Sequence, residues 1–401
     1  MKKDLYVSEI VKTISESLEK IRCKKPTFLH EPYFKNTKAS EYVNDCLETG
    51  WVSSAGKWVN KFEDTIKEFT SARNVIAISN GTDALRLSLY LLGVSHNDEV
   101  LIPPLSFVAT ANSVSHLGAH PHFIDIENES FGMDPILLRK YLEEIAIQKE
   151  GKTINKRTSR EIKAVIVVHV FGLPAKTEEL KLVCDKWNLA LLEDAAEALG
   201  SFDLIHSNKV HCGLTGQLGT LSFNGNKLIT TGGGGAVLTN NDYLANRARH
   251  LSTTAKLDHP WEFEHDEVGW NDRLPNINAA LGCAQLEEIK IRLEKKNKLY
   301  QIYKEGFKNM ENISLLNTRE NTITNNWLIS FLLTGLEEKQ YKNYRDQIIS
   351  ELHSKGIYVR PSWNLLSSLK MYKDSPKSSL KVAKNYQHRI INLPSSPQLI
   401  P

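Results

Sequence analysis

Cysteine is scarce. The five cysteines of this 401-residue chain, Cys23, Cys46, Cys184, Cys212 and Cys283, are odd in number and far apart. That spacing offers neither a disulfide framework nor a Cys-x-x-Cys metal site, and no metal is expected. A reducing compartment, the cytoplasm, is the expected location. Long apolar runs are missing too: none reaches the roughly 18 residues that span a bilayer, so no membrane partner is expected. The polar start Met1-Lys2-Lys3-Asp4-Leu5-Tyr6 lacks the apolar core of a secretory signal. Neither sign of charge dominates. Lys plus Arg is 50 against 47 for Asp plus Glu, and a net charge of +3 gives no reason to expect a nucleic-acid partner. With 41% hydrophobic and 24% charged residues, the chain is an ordinary globular one, not collagen-like or disordered.

Apolar residues at helical spacing, Leu5, Ile10, Val11, Ile14, Leu18 and Ile21, predict an amphipathic leading helix over residues 1–22. A connector with Pro26 and Pro32 follows, then helices over 37–48 and 59–70. From there short apolar runs alternate with helical patterns. Strands are expected at Val75–Ile78, Val100–Pro103, His122–Asp125, Ala164–His169, Ala190–Glu193, Thr220–Phe223 and Gly235–Thr239. Helices are expected at 82–92, 107–117, 135–147 and 177–187. Such alternation predicts an α/β fold with a mostly parallel sheet covered on both faces. The polar, basic stretch 150–161 reads as a solvated loop, and 283–311 as one long helix. The organisation expected is an N-terminal helical segment (1–35), a large domain (36–282), and a long helix with a small C-terminal α+β domain (283–401).

Four local features bear on chemistry. Ser79-Asn80-Gly81-Thr82-Asp83 is a strand end running into a helix start, where free N–H groups and the positive dipole end suit a phosphate; Thr82 or Asp83 could equally be a helix cap. Glu193-Asp194-Ala195-Ala196-Glu197 puts acids at the C-terminal end of a parallel strand, where α/β sheets place ligands. Lys227 follows a short strand and the turn Asn224-Gly225-Asn226, and Thr231-Gly232-Gly233-Gly234-Gly235 follows at once. Four glycines permit tight packing around something, or a flexible turn. Finally, Gly269-Trp270-Asn271-Asp272 leads through Pro275 into an Ala-rich helix start, where Asn and Asp are usually caps.

Together the first three have the order expected of a pyridoxal 5'-phosphate enzyme. A turn holds the phosphate, an Asp keeps the pyridine nitrogen protonated, and a Lys supplies the Schiff base to the aldehyde. An aromatic to stack on the ring is expected from an intervening loop. Phe107, in Pro104-Leu105-Ser106-Phe107-Val108, is either that aromatic or a core residue.

At this point the sequence resembles the DegT/DnrJ/EryC1/StrS sugar aminotransferases, from about Thr37 to Ser396. The words that carry the resemblance are Gly50-Trp51-Val52-Ser53-Ser54, Glu193 to Glu197, Ser222 to Lys227 and Asn278-Ala279-Ala280-Leu281-Gly282. Arg360-Pro361-Ser362-Trp363 with Ile391-Asn392-Leu393-Pro394 resembles the LegC branch, which makes 4-amino-4,6-dideoxy-N-acetylglucosamine nucleotides for bacillosamine or legionaminic acid. The resemblance implies fold type I, with a mostly parallel, mixed seven-stranded sheet between helices plus a small C-terminal domain. It implies Lys227 as Schiff-base lysine and proton shuttle, and Asp194 on the pyridine nitrogen. Phe107 would lie on the ring, and Gly81, Thr82 and Ser222 on the phosphate. Asn271 would reach in from the other subunit of a homodimer. Glu197 would sit near the phenolic oxygen of the cofactor, protonated or turned away when that oxygen is ionised. The implied substrates are L-glutamate and a nucleotide-linked 4-keto-6-deoxy sugar.

Some positions depart from the branch. Asp272 and Trp270 stand where Tyr is usual, and Leu173 and Ser367 where His is usual. Asp272, an extra carboxylate near the phosphate turn, is expected to weaken cofactor retention unless it caps the following helix. Alternatives are a GDP-perosamine-type 4-aminotransferase, a 3-deoxygenating relative, and a non-catalytic cofactor-binding regulator. In the 3-deoxygenating relative a His replaces the lysine, so Lys227 argues against it.

Overall fold

The computed structural model describes residues 2–21, 23, 25–205 and 208–401, and structural statements below refer to these. The chain opens with helices α1 (Lys2–Lys20), α2 (Ala39–Thr49) and α3 (Lys57–Thr70). Strands and helices then alternate: β1 (Asn74–Ile78), α4 (Gly81–Leu91), β2 (Glu99–Ile102), α5 (Ala109–Ser115), β3 (His120–Phe123) and α6 (Pro135–Ile145). A hairpin of β4 (Ala146–Lys149) and β5 (Lys152–Asn155) precedes β6 (Glu161–Val168), α7 (Thr177–Trp187) and β7 (Ala190–Asp194). After the ribbon β8 (Phe202–Ile205) and β9 (Asn208–His211) come β10 (Leu218–Ser222), β11 (Gly235–Thr239), α8 (Asp242–Ser252), α9 (Asn276–Leu286) and α10 (Ile289–Phe307). The last part holds β12 (Ile313–Leu315), β13 (Thr322–Ile323), β14 (Ser330–Leu333), α11 (Glu338–Ser354), β15 (Arg360–Pro361), α12 (Lys381–Tyr386) and β16 (Ile390–Asn392).

Seven strands form the spine of the main sheet in the order β1-β11-β10-β7-β6-β2-β3. Pairing is parallel from β10 to β3; β11 runs antiparallel to both neighbours. Strands such as β6, with its last five residues Ala164–Val168 all buried, are apolar on both faces because helices cover both. On one face α2, α3 and α9 pack through Phe62, Ile66 and Ala280; on the other lie α4, α5 and α8. A second core joins α1 to the C-terminal sheet β12-β14-β16-β15: Ile10 and Ile14 meet Tyr303, Phe331 and Ile348. The amphipathic pattern of α1 thus has its partner some three hundred residues downstream.

Two expectations are corrected. The helix expected over 283–311 is two helices, broken at Glu287–Glu288. The break lets α9 bury Ala279, Ala280 and Cys283 in the large core while α10 turns its Tyr303 and Phe307 to the small one. The loop expected over 150–161 contains strand β5, whose Thr153 and Asn155 are buried. Asn155 Nδ2 donates to Glu99 at 2.8 Å, and the Thr153 hydroxyl donates to the Trp187 carbonyl.

Candidate active site

The parallel strands end together. Asp194, the last residue of β7, is level with Val168 of β6 and Thr220 of β10, and Ser222 closes β10 two residues on. A cleft of about 460 Å³ opens at this edge, where the C-terminal ends of parallel strands hold ligands. Seven of the eight residues singled out from sequence line it: Gly81, Thr82, Phe107, Asp194, Glu197, Ser222 and Lys227.

Asn80, rather than Thr82 or Asp83, caps α4: its side chain accepts the Asp83 N–H at 2.9 Å. Thr82 is left to face the cleft at the first turn, whose unpaired N–H groups suit an anion. Two glycines allow the approach. A Cβ on Gly81 would lie 2.9 Å from Ser222 Cβ, and one on Gly235 would lie 2.6 Å from the Asn80 carbonyl carbon. The last glycine of the run, Gly235, is therefore packed against the turn.

Glu193 and Asp194 point to opposite faces of β7, as alternation requires. Glu193 is spent on structure. It accepts from His169 Nε2 at 2.9 Å and from the N–H groups of Gly213, Thr215 and Gly216. His169 Nδ1 accepts the Ala175 N–H, which puts the ring proton on Nε2. Asp194 faces the cleft. Its carboxylate accepts from Thr110 Oγ1 at 2.7 Å and from the Ala196 N–H at 3.2 Å. Burial pushes this carboxyl up; the Thr110 and Ala196 donors pull against it.

Lys227 Nζ sits 3.6 Å from Glu197 Oε1 and 4.0 Å from the centre of the Trp327 ring. Trp327 Nε1 donates to the Asn226 carbonyl at 2.8 Å, so the same indole braces the loop that carries the lysine. Glu197 Oε2 accepts the Phe171 N–H at 2.8 Å, and burial pushes its carboxyl up to about 7, with Lys227 opposing. Phe107 is 53% exposed and edge-on to Trp363, which stacks on Phe171. It is a wall of the cleft, not a core residue.

Asn271 does not line the cleft of its own chain; it is exposed and bridged to Thr253. Asp272 does not cap α9, which begins after Pro275 without a side-chain cap. It pairs instead with Arg86 of α4 at 2.5 Å, and the guanidinium lies 4.5 Å from the centre of the Trp270 ring. Thr110, Trp327 and Leu29 were not singled out from sequence. Thr110 stood in a segment already noticed, but its bond to Asp194 spans 84 residues, and nothing local marks Trp327 or Leu29.

The donor set fits pyridoxal phosphate. A helix N-terminus with Ser222 suits the phosphate, a buried carboxylate held by two donors suits a pyridinium N–H, and one lysine with little exposed surface suits an aldehyde.

Comparison with known proteins agrees. Residues 35–401 match the model of the DegT/DnrJ/EryC1/StrS aminotransferase family. The chain is 33% identical over 360 residues to GDP-perosamine synthase of Vibrio cholerae, covering 90% of this chain and 91% of the relative. It is 28% identical to the UDP-4-amino-4,6-dideoxy-N-acetyl-beta-L-altrosamine transaminase of Campylobacter jejuni, covering 87% of each. Helicobacter pylori PseC, an aminotransferase involved in pseudaminic acid biosynthesis, superimposes with a TM-score of 0.80 at 27% identity, covering 92% of this chain and 94% of that one. The chain belongs to the DegT/DnrJ/EryC1/StrS aminotransferase family, whose aminotransferases use pyridoxal phosphate.

Proposed function

We propose that this protein moves an amino group from L-glutamate to the keto carbon of a nucleotide-linked 4-keto-6-deoxy sugar. The acceptor we favour is UDP-4-keto-6-deoxy-N-acetylglucosamine, giving UDP-4-amino-4,6-dideoxy-N-acetylglucosamine for a bacillosamine or legionaminic acid pathway. The observation that carries the reading is the meeting of Lys227, Asp194, Ser222 and the Gly81–Thr82 turn in one cleft.

Bound there, pyridoxal phosphate supplies an aldehyde for the amine and a ring that withdraws electrons from the reacting carbon. The chain supplies the rest. The α4 N-terminus, Thr82 and Ser222 bind the phosphate. Asp194, whose carboxylate accepts from Thr110 and Ala196, would hold a proton at the pyridine nitrogen. Lys227 Nζ would hold the aldehyde and, as a free amine, would move the proton at the reacting carbon. Phe107 would cover the ring. Glu197, pushed up to about 7 by burial, would carry its proton below neutral pH and so would add less negative charge beside the phenolic oxygen than an ordinary carboxylate. A homodimer would bring Asn271 of one copy to the cleft of the other, which accounts for its exposure on its own chain.

A second reading, GDP-perosamine synthesis, draws on the Vibrio cholerae relative at 33% identity. Mass spectrometry of products from UDP-, GDP- and dTDP-linked 4-ketosugars with glutamate separates the two. Amination of the UDP sugar supports the first, and amination of GDP-4-keto-6-deoxymannose alone supports the second.

A further inference from the structure

The family match begins at residue 35, yet the cleft has a wall from before it: Leu29, on the connector between α1 and α2, lines the cleft beside Leu328, Pro361 and Trp363. The connector is tied down along its length by the small domain. Thr27 exchanges backbone bonds with Gly356 and Tyr358, both at 2.8 Å. The Leu29 carbonyl accepts the Ser395 N–H at 2.7 Å, the Glu31 N–H donates to Ser396 Oγ at 2.9 Å, and the Tyr33 carbonyl accepts from Gln285 and Arg292. Phe28 stacks on Tyr358 with centroids 5.1 Å apart. Leu29 is thus held by its backbone on both sides, and its side chain is left for the cleft.

We infer that Leu29 is a specificity-determining residue that packs against the C6 methyl of the acceptor sugar. The inference rests on the acceptor class proposed above. Its chemistry is selective. Glutamate and 2-oxoglutarate present two carboxylates, which gain nothing from a leucine and lose hydration beside it. A 6-deoxy sugar presents a methyl, and so do both candidate acceptors, so the inference holds whichever nucleotide is right. Leu29 then brings to the cleft a contact from a segment that precedes the family match.

The test uses the holoenzyme and its two half-reactions, followed separately by the loss of visible absorption with glutamate and its return with UDP-4-keto-6-deoxy-N-acetylglucosamine or GDP-4-keto-6-deoxymannose. In Leu29→Ala the ratio of kcat/KM for the sugar step to that for the donor step is expected to fall about tenfold, through KM, the worth of one lost apolar contact. Leu29→Ile should restore it to within about threefold. Leu29→Gln, similar in volume but polar, should lower it at least as far as alanine and serves if the alanine variant does not fold. An unchanged ratio, or an equal loss in both steps, overturns the inference. A wild-type holoenzyme that glutamate bleaches but neither ketosugar restores overturns the acceptor reading itself, and the methyl contact with it.

Discussion

Asp194 is a buried carboxyl held by two donors, and the role proposed for it depends on those neighbours. A hydrogen bond to a charged group contributes about 1.5–3 kcal/mol, so Thr110→Val is expected to lower kcat about tenfold or more while leaving the fold intact. Steady-state kinetics with a thermal melt check this. Glu197 gives a pH prediction. Its folded value of about 7 lies above the ordinary 4.5, so the native state prefers the proton. Stability from this group is complete below about 4.5 and is lost as pH rises through about 7, because ionisation then occurs in a buried site. In the apoprotein, the drop in Tm between pH 5 and pH 8 should be smaller for Glu197→Gln than for wild type. Equal drops would show that the carboxyl is not the group responsible.

Helix α4 opens on the turn proposed for the phosphate, and its charge balance bears on an expectation. Asp272 was expected to weaken cofactor retention unless it capped a helix. It caps none, but it lies 2.5 Å from Arg86 on α4, a guanidinium it shares with Asp83 at 3.4 Å. The close guanidinium offsets much of the field of Asp272 at the turn. Asp272→Asn and Asp272→Tyr should therefore leave the cofactor dissociation constant within about twofold of wild type; about tenfold tighter binding in either would restore the original expectation. The elements also show what sequence can and cannot disclose. Strands such as β6 and β7, buried on both faces, announce themselves as apolar runs. Hairpin β4–β5 does not, because its inward residues Thr153 and Asn155 are polar and satisfied by distant partners, so no alternation of apolar residues exists to read. The break at Glu287–Glu288 has neither Pro nor Gly to mark it. It exists because the flanking helices bury their faces in different cores.

At the scale of the molecule, the residues proposed for the cofactor were legible because they sit in short local words at strand ends, and all but Asn271 meet in one cleft. Leu29 and Trp327 were not, because they come from distant segments that only the fold brings to the cleft, where Arg360, from a word already singled out, joins them. The same scale holds the proposed dimer. If Asn271 serves the partner's cleft, then mixing inactive Lys227→Ala chains with Asn271→Asp chains should regain activity, since each mixed dimer contains one cleft with both native residues. A mixture that shows only the residual activity of its parents would argue for self-contained sites. The most direct test of the whole account remains chemical. Borohydride reduction of the holoenzyme, followed by peptide mapping, should place the pyridoxyl group on Lys227 and on no other lysine. A tag on a different residue, or no covalent tag in a coloured holoenzyme, would contradict it.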